Sequence, residues 1–113
     1  MIESILGSAA AEKTLLWLDR FDTGYASEIA RFSGLSTSQV NKQLAKFEEA
    51  GLIKARPAGR TRLYVWNPSN PLVAPLRTLL ARAYELLPER ERRAYEIPRR
   101  RPRSRNKPLT PIT

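Results

Sequence analysis

The chain has 113 residues and a formal net charge of +9, and it contains neither cysteine nor histidine. This length allows one small domain with an appendage, and the missing residues exclude disulfides, thiolate metal sites and the commonest general base and metal ligand. We therefore expect no metal, no cofactor and no catalytic residue. The absence of cysteine and histidine counts against most metalloenzymes and most triad hydrolases.

Two helices are predicted at the start of the chain. Ile2, Ile5 and Leu6 favour a short helix or arm, and Ser8 can cap a second helix that runs to about Arg20. No apolar run is long enough to cross a bilayer, and no signal-peptide pattern is present. We expect a cytoplasmic protein without a membrane partner.

A helix-turn-helix pattern follows the turn that Asp22-Thr23-Gly24 indicates. Residues 26–32 predict a short helix, Ser33-Gly34 its end, and Gly34-Leu35 a tight connection into the next helix. Ala30, Leu35 and Val40 are predicted to pack in the elbow.

The next helix, residues 36–50, is predicted to read DNA. Ser36 and Gln39 form a capping-box pattern, and Val40, Leu44 and Phe47 give a narrow apolar stripe. The opposite face carries no carboxylate before Glu48. Short polar groups and lysines suit the base edges and phosphates of a major groove. The candidate DNA-binding residues on this helix are Ser36, Thr37, Ser38, Gln39, Asn41, Lys42 and Lys46.

Residues 52–66 predict a basic β-hairpin. Strands over residues 52–55 and 61–66 flank a turn at residues 57–60, and the hairpin contains four cations and no acid. A cationic hairpin after such a helix is typical of a wing that contacts the DNA backbone or minor groove. Arg60 and Arg62 are the candidate wing contacts.

A longer apolar helix is predicted over residues 72–87, with Pro75 tolerated in its first turn. Its apolar surface exceeds what the core of a small domain needs. We expect a homodimer that uses this helix and the N-terminal helix, and that presents two reading helices to a pseudo-palindrome.

Residues 88–113 are predicted to form a basic Pro/Arg-rich tail beyond a domain of residues 1–87. The tail carries nine Lys and Arg against three Glu, hence +6 of the net charge. Three interpretations stay open for it: a nucleic-acid arm, a solvated disordered tail without a partner, and a protein-binding segment. Its possible nucleic-acid contacts are Arg99, Arg100, Arg101, Arg103 and Arg105.

These motifs resemble the winged helix-turn-helix transcriptional regulators of the ArsR-like (arsenic-repressor-like) group. The resemblance lies in Gly34–Leu44, in Phe47–Ile53, in Gly59–Tyr64 and in the Asn67-Pro68 and Pro71-Leu72 entry to the last helix. It implies a mainly α fold with a small β-hairpin and, usually, a homodimer bound to an operator in double-stranded DNA. The metal sensors of this group use Cys and His clusters, so metal sensing is not implied here.

The resulting hypothesis is a sequence-specific DNA-binding repressor or autoregulator of a prokaryotic, nucleoid-associated kind. Two alternatives stay open: a protein-docking module, such as an antitoxin acting through its tail, and an RNA-binding protein. An enzyme is the least favoured class. Apart from glutamates on helix faces, Asp19 and Asp22 are the only carboxylates of the chain that lie close to each other in sequence. No nucleophile accompanies them, and we interpret them as surface charge.

Overall fold

The computed structural model describes residues 2–96, which form six helices and a three-stranded antiparallel sheet. The predicted fold class, mainly α with a small β-hairpin, is confirmed. In chain order the elements are α1 (Glu3–Leu6), α2 (Ala9–Phe21), β1 (Thr23–Gly24), α3 (Ala26–Ser33), α4 (Thr37–Glu49), β2 (Ile53–Ala58), β3 (Thr61–Trp66), α5 (Val73–Glu85) and α6 (Glu89–Glu96).

Local capping interactions fix where the first helices begin and end. The Ser8 hydroxyl accepts a hydrogen bond from the Ala11 amide at 3.1 Å and so starts α2. Gly34 ends α3 in the left-handed region, at φ +73°, which lets the chain turn at once towards α4. The predicted helix-turn-helix is therefore formed by α3 and α4.

A Schellman motif ends α4. The Leu52 amide donates to the Phe47 carbonyl at 3.0 Å, and the Gly51 amide donates to the Glu48 carbonyl at 2.9 Å. Gly51 has φ +79°, which a residue with a Cβ adopts only at a cost. Because Gly51 lies directly before β2, this motif sets the angle at which the hairpin leaves the helix.

The sheet has the strand order β1-β3-β2, so β3 is central. Two details differ from the sequence prediction. Thr23 and Gly24 pair with Val65 and Tyr64 as a short strand, whereas a turn was expected there. The hairpin turn is also shorter than residues 57–60, because β2 continues to Ala58. Pro57 is tolerated since β2 is an edge strand, where a proline need not donate to a neighbour.

One apolar core joins the helices to the sheet. Fully buried side chains come from α2, α3, α4, β2 and α5, and they include Leu15, Ile29, Leu44, Ile53 and Leu80. The predicted elbow is present: Ala30 and Val40 are buried, and Leu35 packs against the same core. This core holds α4 along one stripe and leaves its other sides in solvent.

An arginine fastens α5 to the end of α2. Arg77 Nε donates to Asp19 Oδ1 at 2.7 Å, and its terminal nitrogen donates to Asp22 Oδ1 at 2.7 Å. The guanidinium also lies 5.2 Å from the centre of the Trp66 ring. Asp19 and Asp22, which the sequence analysis treats as surface charge, thus contribute to packing between helices.

Residues 89–96, which the sequence prediction assigns to the tail, form a helix that packs on the domain. Helix α6 buries Tyr95, which is 7% exposed and contacts the rings of Phe21, Phe32 and Tyr84. A single aromatic residue in a strongly charged segment gives no periodic apolar pattern, so the sequence does not reveal this contact.

Part of the N-terminal segment packs against the core of the same chain. Ile2 is buried and Leu6 packs against the same core, which leaves Ile5 as the exposed apolar residue of this segment. Over residues 2–96, no helix combines the length and the apolar character needed to cross a membrane.

Candidate nucleic-acid interface

The polar face of α4 is open to solvent. Val40, Leu44 and Phe47 are buried, so the helix is held along the narrow stripe that the sequence predicts. All of the predicted contact residues of this helix are exposed, and the described part of the chain covers none of them: Ser36, Thr37, Ser38, Gln39, Asn41, Lys42 and Lys46. A partner whose surface contains a groove can therefore reach this face of α4.

The Gln39 side chain takes part in capping the N-terminus of α4. Its Oε1 accepts hydrogen bonds from the amide and the hydroxyl of Ser36, at 3.0 and 3.2 Å, while the Ser36 hydroxyl oxygen accepts from the Gln39 amide at 3.0 Å. Bidentate recognition of adenine needs both the oxygen and the nitrogen of a side-chain amide. Since the capping box already occupies the oxygen, Gln39 is less free to read a base than its exposure suggests.

Asn41 and Lys42 are not engaged in this way. Neither side chain makes a hydrogen bond or an ion pair with the described residues, and both are exposed. Lys46 lies further along the helix. Its ammonium nitrogen is 5.2 Å from the centre of the Phe47 ring and would be 3.7 Å from a Cβ added at Gly7. Lys46 is therefore placed beside the junction between α1 and α2.

The wing places its cations on two different faces. Arg62 follows the pleat on the side of Tyr64 and Trp66, and its guanidinium makes an ion pair with Glu48 of α4 at 3.2 Å. Arg60 lies in the two-residue turn and is exposed. Arg60 and Arg62 thus lie at the tip of the hairpin and on the side that meets α4.

Lys54 and Arg56 point to the opposite face of the hairpin. They pair in register with Val65 and Leu63, whose side chains alternate with the buried Tyr64 and Trp66. The pleat separates these two cations from Arg62, although all of them are close in sequence. The sequence marks the hairpin as basic, and the register of β2 on β3 determines which cations share the side of α4.

Glu48 is a residue of this surface that the sequence analysis does not assign. It places a carboxylate at the end of α4 next to Arg62, where it neutralises part of the positive charge of the wing. No sequence signal indicates this pair, because 14 residues separate its members and the contact depends on how the hairpin folds back onto α4.

The tail arginines predicted to contact nucleic acid lie outside the described residues; they are Arg99, Arg100, Arg101, Arg103 and Arg105. Within residues 2–96, no group of three or more Asp, Glu, Cys or His side chains is arranged to hold a metal ion. From Thr37 to Lys46, the exposed surface of α4 presents hydrogen-bonding side chains and cations, and the hairpin adds further cations.

Comparison with known families gives one match. Residues 26–54 match the family model described as winged helix-turn-helix DNA-binding, and these residues span α3, the turn, α4 and the start of β2. Neither a curated protein nor a solved structure matches the chain. The matched segment contains every α4 residue of the candidate interface, so the similarity supports a DNA-binding regulatory function for this surface.

Proposed function

We propose that this protein is a sequence-specific DNA-binding transcriptional regulator that acts as a repressor or autoregulator. Helix α4 enters the major groove, and the wing contacts the adjacent backbone or minor groove. The observation that carries this proposal is the exposed, carboxylate-free first part of α4, held on a buried stripe in a helix whose last turn contacts the wing through the ion pair of Glu48 and Arg62. The match of residues 26–54 to a winged helix-turn-helix DNA-binding model supports it.

The contacts divide between base reading and positioning. Asn41 and Lys42 are the base readers, Asn41 for adenine and Lys42 for guanine, because their polar groups are free. Thr37 and Ser38, near the positive end of the helix dipole, position α4 on a phosphate. Arg60 and Arg62 hold the wing on the backbone, and Gln39 contributes mainly by capping the helix.

The regulator acts as a homodimer through α5, within the ArsR-like pattern that the sequence resembles. Leu72, Leu79 and Leu86 are exposed and lie seven residues apart, which places them on one line along the helix. The N-terminal helix contributes at most Ile5 to this interface. A two-fold dimer brings two copies of α4 to the half-sites of a pseudo-palindrome in the cytoplasm, at the nucleoid.

Selection of binding sites from a random duplex library, followed by titration of the selected duplex and its single-base variants, tests this function. In Asn41→Ala, the free-energy difference between the preferred base pair and its alternatives at one position should fall by about 1–3 kcal/mol. The affinity for unrelated duplexes should be unchanged. Arg60→Ala should weaken binding to all duplexes and lower the slope of log K against log salt by about 1.

The wing supplies a matched control. Arg56→Ala removes the same charge from the opposite face of the hairpin, so it should affect binding much less than Arg60→Ala. If Asn41→Ala weakened binding to every duplex equally and kept its sequence preference, α4 would not be the reading element. If a structured RNA competed better than the selected duplex, the RNA-binding alternative would replace this proposal.

A further inference from the structure

A cavity of about 600 Å³ lies between α2, the end of α3 and α6, away from the residues assigned to the interface. Its walls include the apolar side chains of Leu16 and Leu87 and the rings of Phe32 and Tyr95, whose centres are 4.7 Å apart. Pockets for small molecules usually have volumes of about 300–1,000 Å³ and apolar or aromatic walls. The size and lining of this cavity match that type of site.

The charge at this cavity is opposite to that of the chain. Glu3, Glu12 and Glu91 line it together with one cation, Lys13, although the chain as a whole has a net charge of +9. Glu12 is buried, with 6% of its surface exposed. Burial raises the pKa of Tyr95, and the negative charges of Glu12 and Glu91 raise it further. Among the charged residues that line the cavity, carboxylates therefore outnumber cations three to one.

The carboxylates are spread around the walls and are not grouped as metal ligands within residues 2–96. The arrangement fits a molecule larger than a metal ion.

We propose that this cavity binds a small aromatic organic cation, in the class of arylalkylammonium ions. The aromatic part of the ligand packs against Ala9, Phe32 and Pro88, which are accessible apolar residues of the lining, and its ammonium group lies near the carboxylates and over the face of an aromatic ring. A neutral or anionic ligand of the same shape gains no energy from the carboxylates. The proposal does not depend on DNA binding.

Benzylammonium and benzyl alcohol are suitable probes, because they have nearly the same size and differ in charge at pH 7. Titration of the full chain, followed by NMR of the ring protons of Phe32 and Tyr95, should show saturable binding of benzylammonium with a low-millimolar Kd. Benzyl alcohol should bind at least about tenfold more weakly. Absence of saturable binding, or equal affinity for the two probes, would overturn the proposal.

Charge-neutralising variants locate the site. Glu91→Gln should weaken benzylammonium binding about five- to tenfold, and Glu3→Gln, on another wall of the cavity, should act in the same direction. Glu49→Gln, an exposed position of α4 outside the cavity, should leave the affinity unchanged. Thermal melting of each variant checks that it is folded. Equal losses for Glu49→Gln and Glu91→Gln would show that only the net charge of the protein matters, and would reject the site.

Discussion

Single side chains connect parts of the chain that are distant in sequence. The Trp66 indole nitrogen donates to the Leu18 carbonyl at 2.9 Å across 48 residues, and thereby joins β3 to α2. Trp17 donates to the Thr23 carbonyl at 3.2 Å, and a Cβ at Gly24 would lie 2.5 Å from the same indole nitrogen. Glycine at position 24 is thus required by the close approach of Trp17, a constraint that a turn signal in the sequence does not express.

The buried Tyr95 side chain predicts how the stability of the protein depends on pH. Its pKa is raised by burial and by the charges of Glu12 and Glu91, so the folded protein binds the phenolic proton more tightly than the unfolded chain does. This tighter proton binding contributes its full stabilisation of the folded state below the ordinary tyrosine pKa of about 10. The stabilisation is lost as pH rises above that value. The free energy of unfolding of the natural protein should therefore fall more steeply above pH 10 than that of Tyr95→Phe.

Urea denaturation at several pH values between 8 and 11 measures this difference, and comparison of the two proteins cancels the titration of all other groups. Tyr84→Phe is a useful second variant, because the Tyr84 hydroxyl donates to Glu96 and its pKa is also raised by burial. Parallel pH profiles for the natural protein and Tyr95→Phe would contradict the role assigned to the buried phenol.

At the scale of elements, α4 combines two requirements in one short segment. Its first turn must be capped for the helix to begin, and its first two turns must present polar groups to a partner. The capping box of Ser36 and Gln39 satisfies the first requirement, and Asn41 and Lys42 are free for the second. The sequence contains both signals, and the hydrogen bonds of Gln39 assign it to the first.

Gln39→Glu separates these two roles. Glutamate at this position preserves the reciprocal cap and adds a favourable charge near the helix N-terminus, so thermal stability should be unchanged or slightly higher. The same charge repels phosphates, so affinity for duplex DNA should fall. Gln39→Ala should instead destabilise the protein by about 0.5–1 kcal/mol through loss of the cap.

Thermal denaturation and duplex titration on the same preparations give both quantities. A marked loss of stability in Gln39→Glu would show that the cap depends on the amide group of the side chain. Unchanged DNA affinity in this variant would show that the N-terminus of α4 lies away from the phosphates.

At the scale of the whole molecule, α5 carries two apolar lines. Val73, Leu80 and Leu87 face the core, whereas Leu72, Leu79 and Leu86 are exposed by 65%, 38% and 55%. The two lines are offset by one residue, or about 100° around the helix axis. The second line has no partner among the described residues, and it is the surface that we assign to a second copy of the chain.

Leu79→Glu should convert the proposed dimer into a monomer, because it places a charge at the centre of the exposed line. Sedimentation equilibrium measures the change in mass. Ala74→Glu introduces the same group at an exposed position elsewhere on α5 and should leave the dimer intact. A natural protein that sediments as a monomer at micromolar concentration would contradict the dimer, without affecting the reading role of α4.

The features that depend on neighbours along the chain can be predicted from the sequence. Capping residues, the i, i+4, i+7 stripe of α4, the glycine after it and the alternation along β3 predict the helix-turn-helix and the wing, because such signals act within a few residues. They also predict which α4 side chains are exposed.

The tertiary structure was needed to find the features that depend on contacts between distant segments. It paired Glu48 with Arg62, set Lys54 and Arg56 on the other face of the hairpin, and added α6 to the core through Tyr95. It also formed an open cavity between helices that no single segment encodes. Such contacts follow from how elements pack, and packing is a property of the whole chain rather than of local residue patterns.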